Sequence, residues 1–298
     1  MHDERVYALR PGFKNLGITI DSAGIRGNNL TAKKSKRVIA DMGDSVPFGI
    51  KVRDAETYPY FLDSIIMAEN MDWAAINGGT PGYNMRQAYY NLKNNVYPRF
   101  HPEIVTMQAA NDLFLLSYYR EKWTPNVTWA KVKMSHTWGE TTKFALVHYV
   151  RNAFSEKPEP ENYIKYNGKA MLDHIDASLL PEIIRFCRDN GIKVIFMPVD
   201  PFYYSDRNSP KNPKLDLWNE NINDVDIWDE TVKSYNDILA GHADKNENVY
   251  FFDSRTYLDD YDRNGLYLDY IHYSAEGNRI VAQGLFNFIV ENNLLNVL

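Results

Sequence analysis

Four short stretches carry side chains suited to covalent chemistry. Residues 43–49 read GDSVPFG, 77–84 read NGGTPGYN, 109–112 read AAND and 268–278 read LDYIHYSAEGN. A serine hydroxyl is a weak nucleophile until a base takes its proton, and a histidine backed by a carboxylate suits that task near neutral pH. Ser45, His272 and Asp269 supply those three parts. Attack on a carbonyl then places negative charge on oxygen, and each donor aimed at it contributes on the order of 3 kcal/mol. The backbone amides of Ser45 and Gly82 and the side-chain amide of Asn111 are available as such donors.

Each stretch alone has a plainer reading. A serine after a strand is more often a cap or turn residue, a glycine-rich turn commonly serves backbone geometry, and Asn111-Asp112 makes an ordinary Asx turn. An isolated Asp-x-x-His pair suits a salt bridge or half of a metal site. The elements that must position these residues decide between the readings. Short apolar runs at 37–42, 73–77, 103–108, 193–199 and 249–253 read as buried strands. Between them, helical patterns occupy 58–71, 85–96, 179–191 and 229–245, and a last one fills 274–293. This alternation implies one parallel sheet covered by helices on both faces. Ser45, Gly82, Asn111, Asp269 and His272 then all fall at the carboxyl edge of that sheet, where α/β folds bind ligands.

Composition narrows the remaining classes. The 298 residues are 44% hydrophobic and 24% charged, which fits a globular chain with a large core. A formal net charge of -6, with no basic run longer than KKSKR at 33–37, argues against nucleic acid as a partner. The single cysteine, Cys187, excludes an intrachain disulfide and reads as a buried thiol on an amphipathic helix. No Gly-Lys-Ser/Thr loop, His-Glu-x-x-His or Gly-x-Ser-x-Gly motif is present. DYDRNG at 260–265 mimics the start of an EF-hand with Asp260, Asp262, Asn264 and Gly265, but position twelve is Ile271, so it reads as a polar turn. No cofactor and no metal are expected.

Taken together, the blocks resemble those of the SGNH, or GDSL, hydrolase superfamily. GDSVPFG matches the first block with Ser45 as nucleophile, and NGGTPGYN the second with Gly82 at the oxyanion glycine. AAND matches the third with Asn111 as side-chain donor, and DYIH the last with Asp269 and His272. The match spans 37–112 and 249–290, and DSAGIRGNNL at 21–30 resembles the approach segment of bacterial members. The third block departs from the family's Gly-x-Asn-Asp, with Ala109 in the glycine's place. The resemblance implies a flavodoxin-like three-layer α/β/α sandwich with a five-stranded parallel sheet, and a segment 1–36 preceding a hydrolase domain over 37–298.

The function so implied is hydrolysis of a small O-acyl ester, an O-acetyl group on a carbohydrate or related metabolite, through an acyl-enzyme on Ser45. An O-acyltransferase with the same triad and a lipase- or thioesterase-type acylhydrolase are the alternatives. Long inserts at about 113–178 and 201–228 follow the third and fourth strands and carry five of the six tryptophans. Tyr203, Tyr204 and His136 in these inserts are candidate substrate contacts, although aromatic residues there also serve as small local cores. No run of about 18 apolar residues or signal-like segment occurs, so the expectation is a cytoplasmic chain, or an exported one whose leader is absent, without a membrane span.

Overall fold

The computed structural model describes residues 7–27, 37–109, 168–201 and 225–295, together with Arg5, Asn111 and Leu113. Five parallel strands form one sheet: β1 (Arg37–Gly43), β2 (Trp73–Gly79), β3 (Ile104–Gln108), β4 (Lys193–Phe196) and β5 (Val249–Phe251). Their spatial order is β2-β1-β3-β4-β5, the doubly wound order of flavodoxin-like sheets. All seven residues of β2 and all five of β3 are buried, as a sheet covered on both faces requires. Gly43 pairs with both Gly79 and Gln108, so β2, β1 and β3 end level and present their following loops at one edge.

The helices around the sheet include α1 (Ser45–Phe48), α2 (Tyr58–Ala68), α3 (Met85–Asn91), α4 (Leu180–Asp189), α5 (Val225–Ala243) and α6 (Ala275–Glu291). α2 packs against α6, and the α3 and α4 segments meet through the edge-on rings of Tyr89 and Phe186. One continuous core runs between these layers, built from Ile39, Met42, Ile76, Val105 and Ile195 in the sheet and Leu62, Leu92, Ile183 and Leu285 on the helices. Cys187 is fully buried within it.

Helix boundaries hold one regularity that periodicity does not reveal. The pattern over 85–96 is α3 followed by a wide π turn at Leu92–Val96 and a short helix at Tyr97–Phe100. A second π turn, Ile175–Leu179, leads into α4 from residues 168–174, which are already helical ahead of the expected start at 179. Each wide turn ends two residues before a proline, Pro98 and Pro181. A proline cannot donate to the carbonyl four residues back and its ring collides with it, so a local widening lets the helix pass through. Met171 and Ile175 are buried, so residues 168–178 belong to this core helix.

Ahead of the sheet, Lys14–Asn15 and Ile18–Thr19 form a two-rung antiparallel ladder, and Arg26 bridges onto Asn77 of β2. Among the described residues, no helix is long and apolar enough to cross a membrane.

Candidate active site

The turn after β1 is fixed from three sides. Gly43 has φ +153, and a Cβ there would stand 1.9 Å from the carbonyl oxygen of Gln108, so only glycine allows β1 and β3 to close this tightly. Asp44 donates its amide to Gln108 O at 3.2 Å, and its buried carboxylate accepts from Val46 N at 2.9 Å, capping α1. Ser45 opens that helix, half-buried at the sheet's carboxyl edge. Behind the turn, the Arg26 guanidinium, completely buried, donates to the carbonyls of Phe48, Gly49 and Val52 and pairs with Asp54 at 2.8 Å. It also lies over the Phe48 ring, 4.5 Å from its centroid. Burial works to lower the Arg26 pKa, and the Asp54 carboxylate opposes it. From β2, Asn77 donates to Pro47 O at 2.8 Å.

Histidine and aspartate arrive on the loop ahead of α6. His272 Nε2 lies 2.8 Å from Ser45 Oγ, and its Nδ1 lies 2.8 and 2.9 Å from the two carboxylate oxygens of Asp269. With Nδ1–H donating to the carboxylate, Nε2 is left to accept the serine proton. Asp269 Oδ1 also accepts from the amides of Ile271 (3.1 Å) and His272 (2.9 Å), which fixes the carboxylate before any ring contact is counted. Its Oδ2 accepts from Lys51 Nζ at 2.6 Å. Burial alone raises the Asp269 pKa, but the bonds and charge of His272 and the Lys51 ammonium outweigh it and hold the carboxyl well below the usual range.

Two of the expected oxyanion donors, Gly82 and Asn111, are tied to each other. Among the described residues, neither the Ser45 nor the Gly82 amide donates to a protein acceptor. Gly82 has φ +79, and a Cβ there would stand 2.7 Å from the Tyr7 hydroxyl. Tyr7 donates that hydroxyl to Pro81 O at 2.5 Å, while Tyr83 donates its own to Tyr7 O at 2.5 Å, so the amino-terminal segment straps this turn. Burial, with Tyr83 and Asp44 nearby, pushes the Tyr7 hydroxyl well up and keeps it a neutral donor. Asn111 Nδ2 donates to Gly82 O at 2.8 Å, tying the third loop to the second. An amide nitrogen has two hydrogens, so one remains for a ligand. Ala109 is buried outside the positive-φ region, so its methyl is accommodated, and its carbonyl accepts from Tyr235 Oη at 2.8 Å.

A buried group supports the underside of the histidine loop. Asp200, just past β4, accepts from Arg263 at 2.7 Å and from the Tyr267 hydroxyl at 2.6 Å. Asp262, part of the EF-hand-like stretch, caps Arg263–Leu266 by accepting from Asn264 N at 3.1 Å, so that stretch is a helix-start turn. His136, Tyr203 and Tyr204 lie outside the described residues. Lys51, Arg26 and Tyr7 were not singled out as site residues from the sequence. Arg26 lies in the quoted GIRG stretch, but a lone lysine in GIKVRD and a tyrosine 75 residues before Gly82 carry no local signal.

A Ser–His–Asp constellation at the carboxyl edge of a doubly wound sheet defines a class of α/β proteins with the parts for acyl transfer. Comparison with solved structures gives the same fold. The acetyl xylan esterase AlAXEase is 17% identical over 85% of this chain and 99% of its own, with a TM-score of 0.51. A mutant of Axe2, an acetyl-xylooligosaccharide esterase from Geobacillus stearothermophilus, is 15% identical over 87% of this chain and 96% of its own, with a TM-score of 0.53. No protein-family model matches the chain, and no curated protein matches it in sequence. The chain therefore shares the three-layer α/β/α fold of these esterases.

Proposed function

We propose that the protein is a serine esterase of the GDSL type that hydrolyses a small O-acyl ester, with an O-acetyl group on a carbohydrate as the substrate class. The observation that carries this reading is the 2.8 Å contact between His272 Nε2 and Ser45 Oγ, with Asp269 behind the ring. His272 takes the Ser45 proton as Oγ bonds to the acyl carbon. The tetrahedral oxyanion is met by the amides of Ser45 and Gly82 and the free hydrogen of Asn111 Nδ2. Collapse breaks the bond to the alkoxy oxygen, which leaves with the proton from His272. Water then adds to the acyl-enzyme with His272 again as base, and the acid departs as Ser45 Oγ regains its proton. The substrate class draws support from the activity named for both structural neighbours, acetyl xylan and acetyl-xylooligosaccharide esterases.

The test is turnover of 4-nitrophenyl acetate and of acetylated xylooligosaccharides by wild type and Ser45→Ala. Loss of at least about 10⁴-fold in kcat with unchanged circular dichroism is expected. Retained turnover in Ser45→Ala overturns the reading. Faster capture of the acetyl group by an added sugar alcohol than by water would assign a transferase instead.

A further inference from the structure

Lys51 follows the nucleophile turn by two residues after Gly49. Its backbone is left-handed at φ +67, a conformation that non-glycine residues seldom adopt. Its side chain is 55% exposed, yet Nζ lies 2.6 Å from Asp269 Oδ2, the oxygen that also faces His272 Nδ1 at 2.8 Å. The other carboxylate oxygen is held by the Ile271 and His272 amides, so the lysine completes the partners of Asp269. Resting on the esterase reading, we propose that Lys51 is a positioning residue of the triad. It holds the outer oxygen of Asp269 and tempers how strongly that carboxylate favours the imidazolium form of His272.

The electrostatics run in one direction. Activity requires neutral His272 in the free enzyme, and the Asp269 charge favours the protonated ring. A cation on Oδ2 offsets part of that charge and so weakens the pull of the carboxylate on the ring. The Lys51 end of the pair is exposed, so its share of stability is modest, and its effect on the ring is the consequence that a pH profile reads. Among the described residues, the other ionisable groups around His272 do not duplicate it. Tyr270 sits on the same loop, 6.4 Å away between ring centroids. Asp44 and Asp200 line the small cavity shared with Ile271 and Tyr273. Of the two, Asp200 is engaged by Arg263, whose guanidinium also binds Asp259. Lys51 lies in the turn that follows α1, the helix Ser45 opens, so the pair also ties the nucleophile segment to the carboxylate across 218 residues of sequence.

The test compares wild type, Lys51→Met and Lys51→Arg, since both replacements meet the same backbone conformation. Lys51→Met should move the acid limb of kcat/KM for 4-nitrophenyl acetate to higher pH by about half a pH unit or more. Lys51→Arg should leave the limb at the wild-type position, and the difference should shrink in about 1 M salt. Titration of the His272 ring by NMR should show the same movement without any need for turnover. An unmoved limb and ring in Lys51→Met, even with reduced activity, overturns the proposal, as does an arginine variant that shifts like methionine. Failure of the esterase reading is distinct, because it appears as turnover surviving in Ser45→Ala.

Discussion

The Tyr7 hydroxyl occupies the space beside Gly82 into which a side chain would project, 2.7 Å from an ideal Cβ. Two independent demands thus fall on one residue, a left-handed φ of +79 and an open flank. Gly82→Ala should cost roughly 1 kcal/mol in backbone strain plus whatever displaces Tyr7. It should also turn the amide away from the oxyanion, lowering kcat about 10²-fold. Thermal denaturation and steady-state kinetics on the same preparation check both halves. A fully active variant would show that the Gly82 amide is no oxyanion donor.

Asn111 offers a cleaner separation of binding from chemistry. One of its amide hydrogens is spent on Gly82 O at 2.8 Å, and the proposed mechanism gives the other to the oxyanion. Asn111→Ala should lower kcat by about 10²- to 10³-fold with KM little changed, because the interaction forms only as charge develops on the oxygen. A change confined to KM would reassign the residue to ground-state binding.

Arg26 is a support whose removal reaches the serine at a distance. Its guanidinium satisfies three carbonyls of the nucleophile turn and pairs with Asp54. Arg26→Met takes one donor from each of those carbonyls and the ion-pair partner from Asp54, whose Oδ2 still accepts from Thr19, and should cost about 3 to 5 kcal/mol by urea denaturation. Arg26→Lys should recover little of it, because one ammonium cannot reproduce the planar fork. Near-wild-type stability in either variant would remove Arg26 from the supports of the site.

Sequence carried the sheet, and it marked the serine, histidine and aspartate that the fold brings into contact, because both have local signatures. The strands are apolar runs closed by turn residues, and Ser45, Asp269 and His272 lie in short motifs whose neighbours have fixed roles. Asp44 supports the loop by capping α1. What escaped depends on contacts across long stretches of chain. Lys51 meets Asp269 across 218 residues, and Tyr7 meets Pro81 across 74, with no periodicity or composition to mark either. The π turns escaped for another reason, since the side-chain pattern continues through them and only Pro98 and Pro181 hint at the widening.

Cys187 tests the burial of α4 directly. Desolvation in the core pushes its thiol up to about 12, and the thiolate is the reactive form. At pH 8 the folded protein should leave a disulfide-exchange reagent such as DTNB unreacted over hours and release one equivalent of chromophore in denaturant. Rapid labelling of the native protein would mean that α4 opens locally.

Asp269 ties the site to acid stability, and the sign follows from its depressed pKa. Burial pushes it up, but His272 and Lys51 together pull it lower, so the folded state binds this proton more weakly than the unfolded chain does. The group therefore stabilises the fold above the unfolded carboxylate value of about 4, and that contribution disappears as pH falls through the lower folded value. Asp269→Asn removes the titration. Its unfolding free energy should fall less steeply than that of wild type below about pH 4, as measured by urea denaturation at successive pH values. Parallel slopes for the two proteins would mean that the carboxylate is not held by these partners in solution. The same variant should lose kcat by about 10⁴-fold, since an amide at that position favours the wrong tautomer of the histidine.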